Sequence, residues 1–387
     1  MNDQTQEIPI SLIRGGSFYW VQEKARLIRP NTWDLQRRLP LAIAIAWLPL
    51  LVLAFIHGGF RDLHALFVDY RVYARIFIAI PLLLIGQITM EIRFRVMAQH
   101  FLDANIVRLD DLPRFREIML KARHLRDAKL PELLAIVVVY AQAGYFLESG
   151  RMRYASWAIQ PDSNSITPAG YYSILVAHAL FLVLLLIALW KWAIWVYVLR
   201  QISRLNLHLD ATNGDLNGGL GFLGEVPRAF VPVVLAICAV IGATWRSQML
   251  AGQLTSNFLY WSAGLLAVLI LLVFFLPLAL FTPKLLREKR RGNLKYGALQ
   301  HLHSLQFREK WTEHRNEHIE ELLGNPDLSS LADLSTSFKN VEDMVIFPFR
   351  KSAVIALLLA LAFPMIPVVT TQIPFKELIK DLFQAIH

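Results

Sequence analysis

The chain has 387 residues, of which 55% are hydrophobic and only 18% charged, with a formal net charge of +9 and a mean hydropathy of +0.43. An ordinary soluble domain, in which about a quarter of residues are charged, is excluded. The apolar residues fall in blocks approaching the ~20 that cross a bilayer core as helix, which points to a helical membrane protein whose excess Lys and Arg mark cytoplasmic segments, not a nucleic-acid partner.

Residues 1–39 open with a polar stretch that lacks the apolar core of a cleaved signal peptide. Arg14, Lys24, Arg26, Arg29, Arg37 and Arg38 then alternate with Phe18, Tyr19, Trp20 and aliphatic residues. That mixture suits an interfacial segment whose cations reach anionic lipid head groups. A first span is expected over residues 40–56 and a second over 76–90, where Pro81 can kink the helix and Gln87 is polar. The amphipathic, basic loop 91–130 belongs in the cytoplasm. A third span over 132–147 contains Gln142 and ends at Glu148. Turn residues and low charge place the connector that follows outside.

The fourth span, 172–198, carries His178 near its outer start and Lys191 between Trp190 and Trp192, where the ammonium is expected to snorkel to the interface. Loop 199–229 leads to a fifth span at 230–245 and a charge-free sixth at 261–281. Residues 284–351 form a basic cytoplasmic helical segment, too small for an enzyme domain of ordinary size. The last run, in 352–387, is short and contains Pro364 and Pro367, so it either crosses or dips and returns before an amphipathic tail. This arrangement is an all-α polytopic protein of about seven transmembrane helices, N-terminus inside, with about thirty of its 39 Lys and Arg residues on the cytoplasmic side.

The stretch that organises the chain is the glycine loop Asn213-Gly-Asp215-Leu-Asn217-Gly218-Gly219-Leu-Gly221-Phe-Leu-Gly224. So many glycines cost backbone entropy, which implies conformations or close contacts that a side chain forbids. Three readings apply. Residues 219–224 satisfy G-x-G-x-x-G, but a dinucleotide site needs a strand before it and a helix opening on its last glycine. Asn213, Asp215, Asn217 and Gly218 match the start of a calcium loop, but the closing acid, Glu225, falls one position late. The third reading is a tight cytoplasmic turn packed at the membrane surface, with Asp215 paired to Arg228 or Arg350.

The segment Asp215 with Gly218 to Leu223 resembles a loop in a family of uncharacterised bacterial multi-pass inner-membrane proteins, in which His-Pro-Asp and two variable residues precede Gly-Gly-Leu-Gly-Phe-Leu. Here Asn213 and Gly214 stand in place of His-Pro. Ser330-Leu-Ala-Asp-Leu, Ser337-Phe and Phe347-Pro-Phe349 look like a second shared element. The resemblance implies an inner-membrane location and no particular activity.

Elsewhere, His314 and His318 have H-x-x-E-H spacing and, with His301 and His303, offer the elements of an adventitious or regulatory metal site, but a catalytic site needs a third ligand and a sizeable domain, so no stoichiometric zinc is expected. Cys238, the one cysteine, excludes an intramolecular disulfide and any zinc site built on several cysteines. No cofactor is implied. Gln87, Gln142, Glu148, His178 and Lys191 are the candidate pathway residues, since polar groups at membrane depth tend to face protein or water. Two functions follow: a channel or transporter for a small solute or ion, or a sensor or scaffold that binds lipid head groups or a protein through its basic segments, alone or as a homo-oligomer.

Overall fold

The computed structural model describes residues 35–149, 157–160, 165–313 and 326–370. Most of the basic N-terminal segment, His314 and His318, and the amphipathic tail lie outside them. Among the described residues there is no strand, only two isolated bridges, Val107 with Leu207 and Ile159 with Ile166. Seven helices are long and apolar enough to cross a membrane, so the protein is an all-α polytopic membrane protein.

Helix α1, Leu35–Val68, starts with Pro40 near its first turn and bends at Gly59, whose φ of 57° no ordinary helical residue adopts. Asp69 caps the next rod, α2 (Tyr70–Asp103), by accepting from the Arg71 amide. A π turn, Ala74–Ala79, interrupts α2 and ends beside Pro81, whose missing N–H makes a regular α-helical ladder impossible there. Helices α3 (Leu112–Asp127) and α4 (Lys129–Ser149) follow. Helix α5, Pro168–Ile202, is capped by Thr167 and carries its own π turn at Ser173–His178.

After the glycine loop, a 3-10 stretch Gly221–Phe230 feeds α6 (Val231–Leu250). Thr255 caps α7, Ser256–Phe275. A second 3-10 segment, Leu276–Phe281, turns the chain into the long basic α8, Thr282–Arg308. Helix α9 covers Pro326–Asp343 and α10 covers Lys351–Val369. The final apolar run is therefore one unbroken helix of 19 residues, despite Pro364 and Pro367.

Helix α6 lies at the centre, packed chiefly on α10 and α2. Small residues permit this. Gly242 sits so close to α10 that an added Cβ would be 2.7 Å from the Pro364 carbonyl oxygen, the short approach that membrane helices use when lipid removes the hydrophobic drive. Near the basic end, Phe94, Trp195, Phe230 and Phe274 form a buried aromatic column with ring centroids 4.8 to 6.2 Å apart, joining α2, α5, the 3-10 stretch and α7. The 3-10 stretch that contributes Phe230 to this column begins at Gly221 of the glycine loop.

Candidate functional site

The loop folds through consecutive side-chain turns, each made by a short acceptor reaching the amide two residues on. Asp210 accepts from the Thr212 amide, Asn213 from that of Asp215, and Asp215 from that of Asn217. The chain then turns left-handed at Gly218 (φ 62°) and Gly219 (φ 92°), which brings two further amides round. Gly219 N–H donates to Asp215 Oδ1 at 3.0 Å and Gly221 N–H to Oδ2 at 2.8 Å. Both oxygens of Asp215 therefore serve the loop's own backbone.

That geometry corrects the pairing expected from sequence, because Arg228 and Arg350 lie against Glu225, at 3.0 and 3.9 Å. A carboxylate already holding three amides has no need of a guanidinium. Nor does a strand precede the G-x-G-x-x-G pattern, which opens a 3-10 turn. Among the described residues no group of three or more His, Cys, Asp or Glu side chains is placed to hold a metal ion.

Distant segments fasten to the loop and its flanks. His208 N–H donates to Ile106 and Asn206 N–H to Asp111, tying the loop's approach to the end of α2 and the start of α3. Lys284 of α8 donates to the Leu205 carbonyl, and Lys289 to the carbonyls of Glu342 and Met344. Asn340 of α9 reaches Thr212, and Val345 N–H donates to Leu216 at 2.7 Å. Between loop, α2 and α8 opens a cleft of about 880 Å³, lined among others by His100, His208, Arg291, Lys295, Tyr296 and Arg350.

The candidate pathway residues divide. Gln87 is buried and its Oε1 accepts from Arg38 at 3.2 Å, while its Nε2 is buried without a partner among the described residues. Lys191 is buried too, only 8% exposed, which corrects the expectation that it snorkels. Its side chain leaves α5 on the face turned to the bundle and shares its electrostatic surroundings with Arg38, Glu91, Arg126 and Glu132. Gln142 is half-buried and Glu148 exposed on α4, whose residues Leu133, Val137 and Tyr140 present apolar surface outwards. These two do not join the cluster. His178 lies at the other end of α5, in its π turn, within electrostatic reach of Arg75 in the π turn of α2.

Burial also corrects two expectations from sequence: Arg38, expected at the interface with lipid head groups, is 6% exposed, and Glu91, expected to open the cytoplasmic loop, lies inside the bundle. Glu91 is 1% exposed; its Oε1 pairs with Arg95 at 2.8 Å and its Oε2 is buried with no partner among the described residues. The signal was available: Glu91 lies four residues after Gln87, on the same helical face. No family profile, no curated protein and no solved structure matches this chain.

Proposed function

We propose that the protein is a channel or transporter for a small solute or ion, with its path along the contact of α2 and α5. The observation that carries this reading is the buried group Arg38, Gln87, Glu91 and Lys191 inside the bundle. Ionisable side chains in a membrane interior are costly and are retained where ions, protons or substrates pass. Arg75 and His178 extend the polar contact of the same two helices towards the opposite side, each in a π turn, a distortion frequent at functional sites. Around Lys191 stand three cations and two acids, counting Lys191 itself, which favours an anionic solute.

The reading takes the membrane as a bacterial inner membrane, as the loop resemblance implies, with the basic segments cytoplasmic. Labelling of single cysteines introduced into α8 tests the orientation, and modification from outside intact cells would reverse it.

Flux tests the function. Purified protein in liposomes is expected to raise chloride or phosphate efflux at least tenfold over empty liposomes, and Glu91→Gln and Lys191→Met are each expected to return it to background in protein that still folds. Absence of anion, cation and proton flux from folded protein would remove the reading. A sensor or scaffold would then stand, favoured by the exposed row Arg287, Arg290 and Arg291 on α8.

A further inference from the structure

The cleft beside the glycine loop shares no residue with the buried cluster and has the construction of a ligand site of its own. Its volume, about 880 Å³, falls within the ~300–1,000 Å³ of small-molecule sites. Helix α8 contributes Glu288, Arg291 and Lys295, which the 3.6-residue period places along one face, and Arg350 stands in the wall with them.

The wall's formal charges balance, Arg291, Lys295 and Arg350 against Asp210, Asp215 and Glu288, so what distinguishes it is which of these groups are already engaged. Of the three carboxylates in the wall, Asp215 has both oxygens committed to loop amides and Asp210 Oδ1 holds Thr212, which leaves Asp210 Oδ2 and Glu288. Arg291 and Lys295 make no ion pair among the described residues. Arg350 stands 3.9 Å from Glu225, whose carboxylate already accepts from Arg228 and Ser352, each at 3.0 Å. The cleft also has an aromatic wall, since Phe222 packs on the His100 ring at 4.3 Å and Tyr296 lines it. At Gly218 and Gly219 the wall is bare backbone, which lets a ligand approach closely.

We propose that this cleft binds a phosphate ester, its phosphate held by Arg291, Lys295 and Arg350 and its organic part against Phe222 and Tyr296. A dianion with three acceptor oxygens matches a guanidinium fork and an ammonium better than a carboxylate does, and its oxygens accept from the three cations together. A soluble phosphorylated metabolite and a phospholipid head group share that chemistry.

The experiment titrates full-length protein in detergent, at constant ionic strength, with inorganic phosphate, adenosine monophosphate and dihexanoyl phosphatidic acid, reading heat of binding and thermal stability. A phosphate probe is expected to saturate with a Kd below ~1 mM. The double variant Arg291→Gln, Lys295→Gln is expected to weaken it at least tenfold, Lys295→Gln alone to shift it in the same direction, and Arg290→Gln, on the same helix but outside the cleft, to leave it within twofold. Binding of the nucleotide alone assigns a soluble ester, and binding of the lipid alone assigns a head group. If no probe saturates, or if Arg290→Gln weakens binding as much as the double variant, the cleft is only part of a basic surface and the proposal fails.

Discussion

Gly224 and Arg350 meet backbone to backbone: a Cβ added to Gly224 would stand 2.8 Å from the Arg350 amide nitrogen and 2.9 Å from the Phe349 carbonyl carbon. Backbone cannot rotate aside as a side-chain end can. Gly224→Ala is therefore expected to lower stability by about 1–3 kcal/mol, the usual cost of overpacking a closed site. Thermal unfolding in detergent checks this. An unchanged midpoint would mean that the segment before α10 is free to move away from the loop.

Asp215 is expected to act as the clasp of the loop. Hydrogen bonds to a charged acceptor are worth ~1.5–3 kcal/mol each, and Asp215→Ala removes three, while Asp215→Asn keeps one acceptor oxygen. Stability should fall in the order Asn, then Ala, with Asp210→Asn at its exposed turn close to the native protein. Proteolysis within the loop should rise in the same order, and equal behaviour of all three variants would deny Asp215 this role.

Lys191→Met and Lys191→Glu separate a buried ammonium from a snorkelling one. Replacing a buried charge by an apolar chain of similar length is commonly neutral or stabilising, whereas a carboxylate placed near Glu91 adds a second buried anion. The expected outcome is a midpoint for Met at or above the native one, and loss of folded yield for Glu. Were Lys191 interfacial, the two substitutions would differ little.

Asp327 gives a pH dependence outside the membrane. Hydrogen bonds from Lys310 and Trp311 to its carboxylate, at 2.6 and 3.3 Å, hold its pKa below the usual carboxylate range. With the folded pKa below the unfolded one, the contribution is present above the unfolded value of about 3.9 and is lost as pH falls through the folded one. The contact between Trp311 and α9 should thus loosen only below about pH 4. Trp311 fluorescence follows it, and Asp327→Asn should remove the transition.

The spans were legible because lipid imposes one rule everywhere, roughly 20 apolar residues with the backbone bonded internally. The helices exceed the apolar runs, since polar residues such as those after Gln87 continue the same backbone ladder to Asp103. Lys191 was misread because tryptophans beside it describe its neighbours along the chain, whereas its surroundings are set by Arg38 and Glu91 from two other helices. In the loop, the short acceptors and glycines announced a turn. That Asp215 would close on Gly219 and Gly221, leaving Arg350 to Glu225, depends on left-handed turns whose direction the residue types alone do not specify.

The fastening of the loop to Lys284, Asn340 and Val345 also sets an order of assembly. At ~5–20 residues per second, on the order of ten seconds of translation separate Asp215 from Arg350. The side-chain turns and the Asp215 clasp involve only near neighbours and can close as soon as that segment leaves the ribosome. The fastenings from Asn340 and Val345 must wait for α9 and the residues after it, by which time six spans have been made, so a chain stalled before α9 would carry a closed loop held by α2, α3 and α8 alone.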